Sequence, residues 1–320
     1  MDNNRFSRYV WFVLFFNIGV ILWGAYVRAT LSGAGCGSHW PLCNGEVIPQ
    51  APTIETLVEY AHRLSSGLSF ILVAFLFFWA YKKFPNGSII RLGATLSFFF
   101  IITEALVGAG LVLFDWVAEN VSIGRVISMS IHLINTFLLL ASLTLTAYWA
   151  TFGVKSRFQM RSPWVLIIGV GLFGVLVIGI TGAITALGDT IFPSKTLIEG
   201  IQQDFSPTAH FLIRLRIWHP VIAIVTGFYI LFISIFSGLM VPEYWTKRFS
   251  IALVGLFVIQ IIAGLVNLYL LAPVWMQVVH LFLADVVWIV LILLSATILD
   301  YPELQSQVAS NRESTLSVQS

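Results

Sequence analysis

Apolar runs of about 20 residues recur eight times along this chain, and that is the length a helix needs to cross the hydrocarbon core of a bilayer. The runs fall at roughly 9–30, 56–81, 92–114, 124–149, 163–186, 210–237, 250–271 and 276–299. They predict an all-α integral membrane protein of eight transmembrane helices. With 320 residues, the connections between the runs are too short to hold a large soluble domain, so any chemistry has to sit inside the bundle or in its loops. Composition agrees: 58% of residues are hydrophobic and 10% charged, and mean hydropathy is +0.91, whereas a soluble domain is about 25% charged. The formal charge of +2 comes from basic residues scattered through loops, which excludes a nucleic-acid surface. The apolar run from Tyr9 follows the first residues at once and has no small-residue cleavage site at its end, so it reads as a first helix and not as a removed signal peptide. No Arg-rich presequence precedes it, which favours a bacterial plasma membrane.

Basic residues alternate between the two sides. Arg5, Arg8, Lys82, Lys83, Arg91, Lys155, Arg157, Arg161, Lys247, Arg248 and Arg312 fall on one. On the other, Lys195 lies in a loop, while Arg28, Arg63, Arg125, Arg214 and Arg216 are tucked against helix ends. By the positive-inside rule the first set is cytoplasmic, with both termini. The chain also reads as duplicated. Long outer loops at 31–55 and 188–209 follow helices 1 and 5, and the outer connections after helices 3 and 7 are short. Two pseudo-symmetric four-helix bundles are expected, 1–158 and 159–303, joined near 151–162 and followed by a polar, disordered cytoplasmic tail, 304–320.

Each even-numbered helix carries one histidine: His62, His132, His219 and His280. Counted at about 1.5 Å per residue from the outer ends, the four share one depth, roughly 5–15 Å below the outer surface. Neutral imidazole is a strong haem-iron ligand, and two histidines from neighbouring helices can clamp a porphyrin between them. The duplication pairs His62 with His132 and His219 with His280. Interhelical hydrogen bonds or proton gating is the plainer alternative for any single one of them. Glu59 stands three residues before His62 on the same helix face, where it can stabilise positive charge or move a proton, or simply serve as an anion in a first helical turn. Arg216, Arg28 and Arg63 lie at the level haem propionates would need, or snorkel to headgroups.

The only two cysteines, Cys36 and Cys43, lie in the first outer loop. Outside the cytoplasm such a close pair is oxidised, as a structural staple or as a redox-active pair. A zinc site shared with His39 is discounted, because three ligands in one small loop are a weak signal. Glu104 and Asp285 are the other intramembrane acids. Glu104 is expected about half a helix from the histidine layer, in a proton route or an interhelical hydrogen bond. The stretches Gly108-Ala109-Gly110 and Gly179-Ile180-Thr181-Gly182 suit close helix packing or room for a flat cofactor.

The run Glu59-Tyr60-Ala61-His62-Arg63, the loop cysteines and the histidines of helices 4, 6 and 8 resemble the haem A synthases over nearly the whole chain. The resemblance implies oxidation of a ring methyl of haem O to a formyl group, through a hydroxymethyl stage and with oxygen from water. It implies a haem b cofactor on His219 and His280, substrate haem facing His62 and His132, Glu59 as the catalytic carboxylate, and a Cys36–Cys43 disulfide. The implied partners are a haem O synthase and an electron acceptor, and a homo-oligomer is compatible with it. A di-haem b-type electron-transfer cytochrome is the alternative, though it leaves Glu59 and the cysteines without a task. A repeat-built transporter would place its site at the midplane and not in an outer histidine layer.

Overall fold

The computed structural model describes residues 2–153 and 163–318, with side chains described from Asn4 to Tyr301. The expected join between halves therefore falls largely outside the described residues, as do Lys155, Arg157, Arg161 and the side chains of the polar tail. Every regular element among the described residues is helical apart from one isolated bridge between Cys43 and Glu46. The helices are α1 (Asp2–Ala29), α2 (Ile54–Lys83), α3 (Ile89–Leu113), α4 (Ile123–Phe152), α5 (Pro163–Ile191), α6 (Leu197–Asp204), α7 (Phe211–Leu215), α8 (Trp218–Met240), α9 (Tyr244–Tyr269) and α10 (Val274–Val318). Eight spans are long and apolar enough to cross a membrane, α7 and α8 together forming the sixth, Phe211–Met240.

Local chemistry sets the ends of these helices. Thr53, Ser88 and Ser122 cap α2, α3 and α4 by accepting from backbone N–H groups of the first turn. Gly153, at φ +65°, closes α4 in the left-handed conformation that glycine adopts without a Cβ penalty. Pro163 opens α5, where its missing N–H would be unpaired in any case. The sixth span breaks after Leu215 and restarts at Trp218, which puts His219 and Pro220 in a first helical turn.

Helices α1, α2, α3 and α4 pack in a closed circuit of neighbours, and α5, α8, α9 and α10 pack in a second. The circuits meet through α1, α4, α5 and α10. The eighth span is accordingly 67% buried, against 17% for the third, fifth and seventh. At the junction Trp288 of α10 stacks on Phe137 of α4, with ring centres 5.2 Å apart, and donates from Nε1 to Phe137 O at 2.8 Å. Large apolar side chains such as Phe15, Phe78, Phe173 and Phe228 point outward, as suits a lipid-facing perimeter.

Candidate functional site

The four histidines occupy one end of the bundle, the end that carries the cysteine loop. His62 lies eight residues after Ile54, His132 nine after Ile123, His219 eight after Phe211 and His280 six after Val274, each counted from the start of its span. At 1.5 Å per residue these offsets differ by only about 5 Å of depth.

Each imidazole packs against a glycine of the odd-numbered span beside it. A Cβ added at Gly24 would stand 2.9 Å from His62 Cε1, at Gly182 3.0 Å from His219 Cε1, and at Gly264 3.2 Å from His280 Cε1. The fourth contact, Gly108 with His132 Cε1, would be an ordinary 3.8 Å. Three of the four rings thus lie closer to a helix backbone than an added Cβ would ordinarily allow. Gly182 belongs to a glycine stretch picked out in the sequence for close packing. Gly24 and Gly264 carried a signal that was missed: with Gly108, each sits five residues before the end of its helix, at Ala29, Leu113 and Tyr269.

The rings of His219 and His280 are nearly perpendicular, at 86°, with centres 6.4 Å apart. Two imidazoles on opposite sides of one metal are separated by two metal–nitrogen bonds of about 2.0 Å plus the inner half of each ring, roughly 6 Å in all. The spacing of the C-terminal pair is the one an iron between them would require. His62 and His132 are near enough to interact electrostatically. The Nδ1 atoms of His62, His132 and His280 are buried without a hydrogen-bond partner, so the protein leaves ring nitrogens unspent. His219 Nδ1 lies 3.2 Å from the Thr181 hydroxyl. Among the described residues no cluster of three or more His, Cys, Asp or Glu side chains is arranged to hold a metal ion, which leaves ligation by paired histidines as the chemistry on offer.

Glu59 is buried, and its partners are unlike those of a free carboxylate. Oε2 accepts from the backbone N–H of Cys36 at 2.8 Å, and Oε1 accepts from Arg63 Nε at 3.0 Å. Arg63 Nη1 in turn donates to the carbonyls of His39 and Leu42, inside the loop that the bonded cysteines Cys36 and Cys43 close. The loop lies so close to α2 that a Cβ at Gly35 would be 2.4 Å from the Glu55 backbone. Glu59 is thus a rigid anion that ties the cysteine loop to the helix carrying His62.

The arginines expected at this level bind protein groups. Arg28 donates to Ala186 O at 2.8 Å, Thr190 Oγ1 at 3.2 Å and Gln277 Oε1 at 2.9 Å, bridging α1, α5 and α10. Arg125 donates to Ala118 O and Asn120 O. Arg216 joins Asp189 of α5 at 2.9 Å to Asp204 of α6 at 2.8 Å. Arg214 is exposed. The remote position expected for Glu104 is corrected: Oε1 is 3.4 Å from His132 Nδ1, within the histidine layer. The reason is antiparallel packing, since Glu104 lies nine residues before the end of α3 and His132 nine after the start of α4, both counted from the same face. Asp285 is fully buried with both carboxylate oxygens unpaired.

Known proteins bear on this arrangement. A Thermus thermophilus protein named protoheme IX farnesyltransferase is 48% identical over 297 residues, 93% of this chain and 49% of the relative. The chain thus spans about half the length of that relative. The protein named heme A synthase from Halalkalibacterium halodurans is 48% identical over 95 residues, 30% of this chain and 32% of the relative. Its namesake from Exiguobacterium sibiricum is 40% identical over 113 residues, 35% and 38% of the two chains. The sequence profile of COX15-CtaA, described as cytochrome oxidase assembly protein, matches residues 7–292. This chain, with its eight apolar spans, belongs to the COX15-CtaA family.

Proposed function

We propose that this chain is a haem A synthase, an oxidoreductase of the bacterial plasma membrane that converts a ring methyl of haem O to the formyl group of haem A. The observation that carries the reading is the His219–His280 pair, whose 6.4 Å ring separation suits one iron between them. Similarity to proteins named heme A synthase supports it. The relative named protoheme IX farnesyltransferase supports a haem O synthase as the supplier of substrate. By charge distribution the cysteine loop faces outward and both termini face the cytoplasm.

Oxidising the methyl with a water oxygen releases four electrons and four protons. Haem b held by His219 and His280 supplies a one-electron relay toward an external acceptor. His62 and His132 hold the substrate haem between α2 and α4. Gly24 and Gly108 let α1 and α3 approach those two rings, and the buried packing around them limits ring rotation. Glu59, one turn from His62, presents fixed negative charge toward the reacting edge, where positive charge grows as electrons leave the methyl. The hydrogen bond from Cys36 N–H and the ion pair with Arg63 hold that charge in one position, so little reorganisation accompanies the step.

Replacing Glu59 by Gln tests this, because Gln keeps an acceptor for the Cys36 N–H and removes the charge. In cells supplied with haem O, Glu59→Gln should retain the b-type absorption spectrum and lose haem A. An unchanged haem A yield removes Glu59 from the chemistry.

A further inference from the structure

The two halves place a glycine against His132 and His280 alike and differ in the polar side chain one turn before it. Gly108 of α3 packs on His132, and Gly264 of α9 packs on His280. Four residues before each glycine, one further turn along the same face, stands a polar side chain that reaches the same histidine. In α3 it is Glu104, with Oε1 3.4 Å from His132 Nδ1. In α9 it is Gln260, which meets the other ring nitrogen: its Nε2 lies 3.4 Å from His280 Nε2 and 3.2 Å from His280 O, and His280 Nδ1 has no partner. Equivalent positions thus hold a carboxylate in one half and a neutral amide in the other.

The carboxylate is held in place. Asn135 Nδ2 donates to Glu104 Oε2, and the Thr136 hydroxyl bonds Oε1. Asn135 is fixed in turn, donating to Phe100 O at 2.9 Å and accepting from Thr103 Oγ1 at 2.5 Å. Asn135 and Thr136 lie three and four residues after His132 on the same helix, so ring and carboxylate are built on one rigid frame. No such frame surrounds Gln260, whose Oε1 is buried and unpaired.

A histidine that gives Nε2 to a metal carries its proton on Nδ1, and the group accepting that proton's hydrogen bond sets the ring's orientation and donor strength. Nδ1 of His132 is buried without a hydrogen bond, and Glu104 Oε1 lies 3.4 Å from it. We propose that Glu104 is a positioning residue for the substrate side. Its carboxylate receives the His132 Nδ1–H and makes His132 a stronger electron donor to the substrate haem iron than His280, whose Nδ1 has no acceptor, is to haem b. This rests on the assignment of His62 and His132 to substrate haem. A more electron-rich iron on the substrate side lowers the potential there, so electrons withdrawn from the methyl run toward the C-terminal haem.

The test is a redox titration of the purified full-length protein loaded with haem O, with resonance Raman of the iron–histidine stretch. Glu104→Gln should raise the midpoint potential of the His62/His132 pigment and lower its iron–histidine frequency, leaving the His219/His280 pigment unchanged. If Glu104→Gln does not retain pigment, Thr136→Val serves in its place, because it keeps the carboxylate and removes one of its clamps. It should shift the same signals in the same direction by less. Unchanged potential and frequency in Glu104→Gln, or in Thr136→Val where that variant stands in, overturn the proposal with the haem assignment intact. If the unsubstituted protein has no pigment that depends on His62 and His132, the assignment itself falls and this inference falls with it.

Discussion

Adding one methyl group at Gly182 tests whether the odd-span glycines set the position of the histidine rings. Its Cβ would stand 3.0 Å from His219 Cε1, whereas carbon atoms rest at about 3.5–4.0 Å. The ring, whose centre lies 6.4 Å from that of His280, must yield by a few tenths of an ångström. Overpacking of this kind costs about 1–3 kcal/mol, and borne by the ligand geometry that is roughly a 5- to 150-fold loss of haem affinity. Gly108→Ala is the matched control, because its Cβ meets His132 at 3.8 Å and nothing has to move. Haem content after purification, followed by transfer of haem to an excess of apo-myoglobin, gives the two dissociation rates. Gly182→Ala should release the b-type haem faster, while Gly108→Ala should retain both pigments as the unsubstituted protein does. Equal haem retention in Gly182→Ala and the parent protein would refute the reasoning, as would a Gly108→Ala variant that loses as much haem as Gly182→Ala.

Three further outcomes follow from contacts elsewhere. Arg216→Met leaves Asp189 and Asp204 without their shared cation, and because both acids are about one-fifth exposed the loss should be up to about 3 kcal/mol, the lower end for a buried pair. Thermal unfolding in detergent would register it, and an unchanged midpoint would contradict it. Trp288→Ala removes the stack on Phe137 and its hydrogen bond at the junction of the two helix circuits; it should cost about 3–5 kcal/mol, and Trp288→Phe only about 1 kcal/mol, by the same assay. Cys36→Ser opens a loop closed by a bond between residues seven apart, for a loss of about 2–3 kcal/mol. By loosening the anchor of Glu59 it should also reduce haem A yield more than b-type haem content, which pigment extraction can compare.

The spans were legible because hydrocarbon imposes a length and a composition, and the helices begin and end within a few residues of the apolar runs except at the two ends of the chain, where α10 continues as helix to Val318, through the segment expected to be disordered. At the N-terminus α1 begins at Asp2, ahead of the run at Tyr9. The break after Leu215 was not marked, although Pro220 hints at it: a proline suits the first turn of a helix, and α8 begins at Trp218. Helix α6 was read as loop. Its start is written in the sequence, since Thr196 accepts from Glu199 N–H and Glu199 reaches back to Lys195 N–H, a variant of the capping box. The histidines stood out because imidazole is rare in lipid, but their glycine partners did not, because glycine is common in membrane helices. Glu104 was misplaced by counting along one helix without pairing it to its antiparallel neighbour. From the sequence the arginines near the cysteine loop suit either propionates or lipid headgroups. Only three-dimensional packing shows Arg28 spanning three helices and Arg216 joining two acids.

The central claim is that four histidines form two separate haem sites, one in each half. Absorption spectroscopy and pigment extraction on the full chain, purified from cells making haem O, test it most directly when combined with single histidine replacements. His219→Ala and His280→Ala should each abolish the b-type spectrum, and His62→Ala and His132→Ala should each remove haem O and haem A while the b-type spectrum stays. A b-type spectrum that survives loss of His219 and His280, or all pigment vanishing together whichever histidine is replaced, would contradict it.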